Sequence, residues 1–340
     1  MTAALANLSA LVLLMTVTAY SVAGGVDFGA GIWDLLAGGG EQAHEARALI
    51  DHAMAPVWEA NNVWLVFSIV VCWTGFPLLF QSVFASLYPL FSLALLGVIL
   101  RGAFFAFRHI ASGPRMERAS SLVFGISSVV TPFFFAATLG AIASGRVGVG
   151  EPTVPVWEAC FNPMSISFGL VALAATAFSG ASFLVGDARR YGIPDMVDYF
   201  RRRAVVATLV LIATGALGLV AIGFEAPRLL GSMIGGLGTP FALATIVMTP
   251  LVGFLLWRGR FVWYRVLTVG AVSSLVLAWG LAQAPFMLPG TLTVSRAAAP
   301  VATHVALAIV TAALVLLVAP SLGLLVYFDQ RSALEPTKHY

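Results

Sequence analysis

Nine times between residues 5 and 328 the sequence runs apolar for about twenty residues, and few folds can use such a chain. A helix rises about 1.5 Å per residue, so roughly 20 apolar residues cross ~30 Å of hydrocarbon. The runs are 5–23, 62–80, 82–100, 119–143, 162–186, 204–223, 237–257, 262–282 and 303–328. They are continuously apolar, whereas a membrane barrel would alternate. A soluble fold is excluded as well. Only 10% of the residues are charged and 60% are hydrophobic, where soluble domains carry about 25% charged residues. A soluble enzyme, a DNA-binding protein and a disordered scaffold fall together. The expectation is an all-α polytopic membrane protein of about nine transmembrane helices, with 1–340 as a single integral membrane domain. The net charge of +3 is small and its basic residues lie between spans, so it speaks of orientation rather than nucleic acid.

Placing the N-terminus outside puts fifteen of the eighteen basic residues in inward segments and leaves Arg146, Arg228 and Arg296 outside. That asymmetry predicts an N-out, C-in topology. The first run has no Lys or Arg before it and is read as a permanent span, because a cleavable signal peptide starts with charge. The second and third runs are expected to part at Gln81 and Ser82. The connection 24–61 is read as loop around one short helix after Gly38-Gly39-Gly40. There Ala43, Ala46, Leu49, Ile50, Ala53 and Met54 share one face and Glu41, Glu45, Arg47 and Asp51 the other, which suits a helix lying at the inner interface. In the fifth run Asn162-Pro163 reads as a helix start, and Gly169, Ala172, Thr176 and Gly180 form a small-residue seam for close packing.

Ionisable groups at membrane depth are costly, about 2.5–3.5 kcal/mol on insertion scales, so each is a functional candidate. Asp27 closes the first run, Glu59 opens the second between Trp58 and Asn61, and Arg101 ends the third, with Arg108 seven residues on. All three fall at the inward ends of consecutive spans. Burial and a neighbouring cation act on a carboxyl group in opposite directions, so a carboxylate pair near an arginine suits proton entry. The alternative is that these are helix-end side chains reaching to the headgroups. His304 stands alone at the outward start of the last span, where the polar interface accommodates it. His44 and His52 are read as solvated. No cysteine or histidine spacing fits a metal site, and the glycines of 24–40 lack the Lys-Ser/Thr of a phosphate loop.

Taken together, these segments resemble subunit II of the cytochrome bd-type quinol oxidases. Gly24-Gly25-Val26-Asp27-Phe28-Gly29-Ala30-Gly31 is similar to that family's Asp-Gly-Phe-Asp-hydrophobic-Gly-x-Gly. Ala55-Pro56-Val57-Trp58-Glu59-Ala60-Asn61-Asn62-Val63-Trp64-Leu65 is similar to its Ala-Pro-x-Trp-Asp-Gly-Asn-x-x-Trp-Leu. Arg101 and Arg108 keep the spacing that ends the third span, Asn162-Pro163 with Gly180-Ala181 that of the fifth, and Trp279-Gly280-Leu281-Ala282 with Pro285 and Pro289 the end of the eighth. Gly24, Glu59-Ala60, Ala106 and Ser179 depart from the pattern and point to a divergent member, nearer the cyanide-insensitive branch.

The resemblance implies a bacterial inner-membrane chain, inactive alone, that pairs with a haem-bearing subunit I. That subunit would hold haems b and d, or b only, together with the quinol site, and no cofactor is expected on this chain. Membrane lipids, quinone and a small accessory subunit are further partners it implies. The complex would oxidise quinol and reduce oxygen to water. Asp27 and Glu59 would carry cytoplasmic protons, supported by Arg101, Trp58, Asn61 and Trp64. Two other readings stand beside it: an ion-coupled secondary transporter using the same residues, and an assembly subunit with no proton role.

Overall fold

The computed structural model describes residues 2–107 and 114–318 with 320, 321 and 324, and at 2, 54–60, 104–107, 114–118 and 318 it describes the backbone alone. Helices dominate. In chain order they are α1 (Thr2–Leu35), α2 (Glu41–Gly75), α3 (Pro77–Phe107), α4 (Pro114–Ala143), α5 (Val156–Cys160), α6 (Pro163–Arg190), α7 (Pro194–Glu225), α8 (Pro227–Gly235), α9 (Thr239–Trp257), α10 (Tyr264–Ala282), α11 (Val294–Ala297) and α12 (Val301–Ala313). Among the described residues seven helices are long and apolar enough to cross a membrane. Two shorter apolar helices, Asn61–Gly75 and Val301–Leu317, correspond to the remaining expected spans. A hairpin of β1 (Phe286–Leu288) and β2 (Leu292–Thr293) lies between α10 and α11, a small exception to an all-helical expectation.

Three expectations need correcting. First, the chain breaks at Phe76 rather than at Gln81–Ser82. Pro77 lacks an N–H and disfavours helix in the residue before it, and Phe76 accordingly sits at φ −139°, ψ 60°. Ser82 lies inside α3, where its hydroxyl donates to Leu78 O and accepts from Gly150 N.

Second, the connection 24–61 is not loop: α1 runs on to Leu35 and α2 starts at Glu41. Only 36–40 remain, where Gly38 and Gly40 take φ of 77° and 96°, values that favour glycine. The amphipathic face exists, but Ala43 is buried and Ala46, Leu49 and Ile50 pack in a cluster with α6 and α7 side chains instead of lying on lipid. The side chain of Met54 is outside the described residues. Third, the helix of the sixth run starts well before 204: Pro194 opens α7 as its first residue, so Arg201, Arg202 and Arg203 are helical.

Other expectations hold. Asn162 caps α6 by accepting from Ser165 N at 2.9 Å, with Pro163 at the first helical position. The small-residue seam works as a crossing point. A Cβ on Gly29 would stand 2.8 Å from Gly180 Cα and collide with Thr176 O, so α1 and α6 meet backbone to backbone. This crossing seats α1 against α6, α4 and α2. Cys72 and Cys160 are free thiols.

Candidate functional site

Tyr20, Gly24, Asp27, Gly31 and Asp34 recur at alternating steps of four and three, so they share one face of α1. That face looks into the bundle of α2, α3 and α4. Asp27 is 1% exposed and Arg101 2%, eight residues short of the end of α1 in the case of Asp27. The Arg101 Nη2 donates to Asp27 Oδ1 at 2.6 Å and to the backbone Asp27 O at 2.9 Å. Its Nη1 donates to Ser128 Oγ, which in turn donates to Phe124 O at 2.6 Å. The guanidinium carbon lies over the rings of Phe28 and Phe124, 4.7 and 4.3 Å from their centroids. Gly31 makes room for this, since a Cβ there would strike Ser128 Oγ and lie 3.1 Å from Arg101 Nη1. Neither Asp27 nor Arg101 is therefore a helix-end side chain reaching for headgroups; each is sealed.

The other side of Asp27 is not saturated. Among the described residues its Oδ2 has no hydrogen-bond partner, and neither have Asn61 Oδ1, Tyr20 OH, Thr131 Oγ1 and Arg101 Nε. Asn61 is 2% exposed and its amide lies against Gly24, 3.3 Å from where a Cβ would be. The amide thus occupies the space that opens where the motif of the resembled family has an acid. Tyr20 rests edge-on against Phe135 of α4, with centroids 5.8 Å apart. Buried polar atoms without protein partners are the groups on which ordered water sits.

Toward the end of α1 a second pair forms. Asp34 Oδ1 accepts from Arg47 Nε at 2.9 Å and Asp34 Oδ2 from Ser121 Oγ at 2.7 Å, while Arg47 Nη2 also donates to Gly38 O at 2.8 Å. Asp34 and Ser121 are absent from the sequence-derived set. The stripe of spacing on α1 is the signal that would have found Asp34.

Of the residues expected to act together, Asp27, Arg101 and Asn61 converge. Trp64 is a half-buried residue of α2 whose carbonyl accepts from Ser68 Oγ. Glu59 and Trp58 belong to the backbone of α2, and their side chains lie outside the described residues, as does Arg108. His304 departs from expectation. It is 2% exposed rather than set in a polar interface, with Nδ1 at 2.8 Å from Ser9 Oγ of α1. His44 is exposed as expected, and His52, also exposed, sits edge-on against Tyr191. Among the described residues no three His, Cys, Asp or Glu side chains are grouped to hold a metal ion.

Known proteins share both the sequence pattern and the fold. The family model of the cytochrome bd terminal oxidase subunit II matches residues 5–328. The chain is 23% identical over 304 residues to the cytochrome bd-I ubiquinol oxidase subunit 2 of Escherichia coli K12, covering 80% of this chain and 78% of that one. It is 30% identical to the cytochrome bd ubiquinol oxidase subunit 2 of Bacillus subtilis 168 over 109 residues, 32% of this chain and 31% of the relative. The fold matches the bd oxidase from Geobacillus thermodenitrificans with a TM-score of 0.79 at 22% identity, over 96% of this chain and 98% of that one. With a family match across nearly its whole length, the chain belongs to the cytochrome bd terminal oxidase subunit II family, a multi-pass protein of the bacterial inner membrane and part of a haem-containing quinol oxidase complex with a subunit I.

Proposed function

We propose that this subunit gives the oxidase its membrane scaffold and a proton route entered from the cytoplasmic side, with Asp27 and Glu59 as the carboxylates and the N-terminus outside. One observation carries the reading: a carboxylate 1% exposed, one oxygen fixed by Arg101 and the other without a partner among the described residues, on the helix face that also carries Tyr20 and the Gly24 contact of Asn61. Arg101 holds Asp27 in place and offsets the cost of its burial. The free oxygen can take up and release a proton, and the Asn61 amide and the Tyr20 hydroxyl can hold water by hydrogen bonds. Orientation rests on charge. Arg203 lies over Trp33, 5.9 Å from the ring centroid, and His52 meets Tyr191, which brings the end of α1 beside the arginine-rich α6–α7 connection. Arg146 pairs with Glu225 at the opposite end.

The haems and the quinol site belong to subunit I in this reading, and this chain acts only in the complex. His304 engages Ser9 through Nδ1 and leaves Nε2 without a partner among the described residues, but the cavity beside it, about 260 Å³ and lined by Ala3, Ala6, Ser295 and Ala299 among others, is small beside a porphyrin, which supports placing the haems in subunit I. The transporter alternative finds no support in the fold or the family match.

The test is made on the intact complex. Glu59→Gln and Asp27→Asn are each expected to slow quinol-driven oxygen consumption by on the order of tenfold or more, while the reduced-minus-oxidised haem spectrum stays normal. Full turnover by both variants in assembled complex would remove the proton route and leave an assembly subunit.

A further inference from the structure

We propose that the turn between α9 and α10 binds the headgroup of an anionic phospholipid. The turn, 258–263, joins two helices of 19 residues each. At 1.5 Å per residue they measure about 28 Å, close to the ~30 Å of hydrocarbon, so the turn lies at headgroup level. By contrast α1 and α7, at 34 and 32 residues, overhang.

The composition of the turn suits that depth. Trp257 and Trp263 flank it, 62% and 71% exposed, with Val262 62% exposed beside them. Indoles favour this boundary. Trp263 holds a left-handed backbone, φ 63°, the only non-glycine residue to do so among those described. Arg258 and Arg260 are exposed between the two indoles. The Arg258 guanidinium is steadied over Trp257 and Phe254, 5.1 and 5.4 Å from their centroids.

Neighbouring α6 adds positive charge, since Arg189 covers Phe261 at 4.3 Å, while Arg201 of α7, 3.4 Å from where a Gly259 Cβ would stand, is balanced by its pair with Asp198. The nearby acids are already engaged, Asp187 by Arg265 and Asp198 by Arg201. Below the turn, Phe254 and Val266 are 48% and 61% exposed and give acyl chains an apolar slope. Positive charge at phosphate depth above an apolar face is complementary to an anionic lipid.

The intact complex, titrated in detergent with short-chain phosphatidylglycerol or phosphatidylcholine and read by native mass spectrometry, tests this. Saturable binding of phosphatidylglycerol in preference to phosphatidylcholine is expected. An arginine near the surface is worth roughly fivefold, so Arg258→Gln/Arg260→Gln should weaken binding on the order of thirtyfold. Arg228→Gln, at the other end of the bundle, should leave it unchanged. Should the double variant not assemble, wild-type complex in 0.5 M salt decides, since screening must remove the preference. Equal binding of the two lipids, or a preference indifferent to salt and to the double substitution, overturns the proposal. So does a finding that an acidic segment of subunit I occupies the turn.

Discussion

Two Asp–Arg pairs stand on the same face of α1, seven residues or about 10 Å apart, and they do opposite work. In the Asp27–Arg101 pair the side chains are 2% and 3% exposed, and the guanidinium is clasped by two rings and a serine. In the Asp34–Arg47 pair they are 9% and 34% exposed, and the arginine also ties down Gly38 O just past the end of α1. The outer pair is a clasp on the α1–α2 hairpin, with its arginine in reach of solvent ions. The inner pair keeps a charge where charge is expensive, and one of its carboxylate oxygens has no partner among the described residues. Geometry alone makes the pairs look alike, with contacts of 2.6 and 2.9 Å. Burial and the unused oxygen set the pair proposed to carry protons apart from the clasp.

The largest separation should come from removing each arginine. Arg101→Ala strands a buried carboxylate, which costs about 3–5 kcal/mol, and should eliminate assembled complex from membranes as judged by haem absorbance. Arg47→Ala should cost about 1 kcal/mol or less. Comparable losses from both would abolish the distinction. Next, Gly31→Ala forces a methyl onto Ser128 Oγ and against the Arg101 head, so overpacking of about 1–3 kcal/mol is expected in thermal unfolding of the complex. A neutral result would mean that the inner clasp is loose.

Serine deletions probe the same contrast more gently. Ser128→Ala loses a bond to a charged group in a buried setting, about 1.5–3 kcal/mol, and should exceed Ser121→Ala. The smallest effect is electrostatic. Raising ionic strength from 0.15 to 1 M shortens the screening length from about 8 to about 3 Å. The stability difference between wild type and Arg47→Gln should shrink under that change, while the difference for Arg101→Gln should not. Identical salt responses would place both pairs in the same environment.

Much of this was legible in advance. The spans follow from uninterrupted apolar sequence, because any backbone in hydrocarbon must satisfy its own hydrogen bonds and only helices do so segment by segment. Caps are local too, and Asn162-Pro163 announces the start of α6 without reference to the rest of the chain. Asp27 and Arg101 stand out because ionisable residues are rare in such sequence.

What the sequence could not determine is partnership. Asp27 and Arg101 are 74 residues apart and meet only because Gly29 and Gly180 let α1 and α6 cross at backbone contact, which seats α1 beside α4 and turns its polar stripe inward. The face of Ala46, Leu49 and Ile50 is amphipathic whatever it touches; the fold decided that it meets protein and not lipid. His304 looked interfacial because nothing local revealed Ser9, 295 residues away. Periodicity is a property of a segment and can be read from it. Burial and pairing depend on distant segments arriving together, and the close approach of small residues that brings them there exists only in the folded chain.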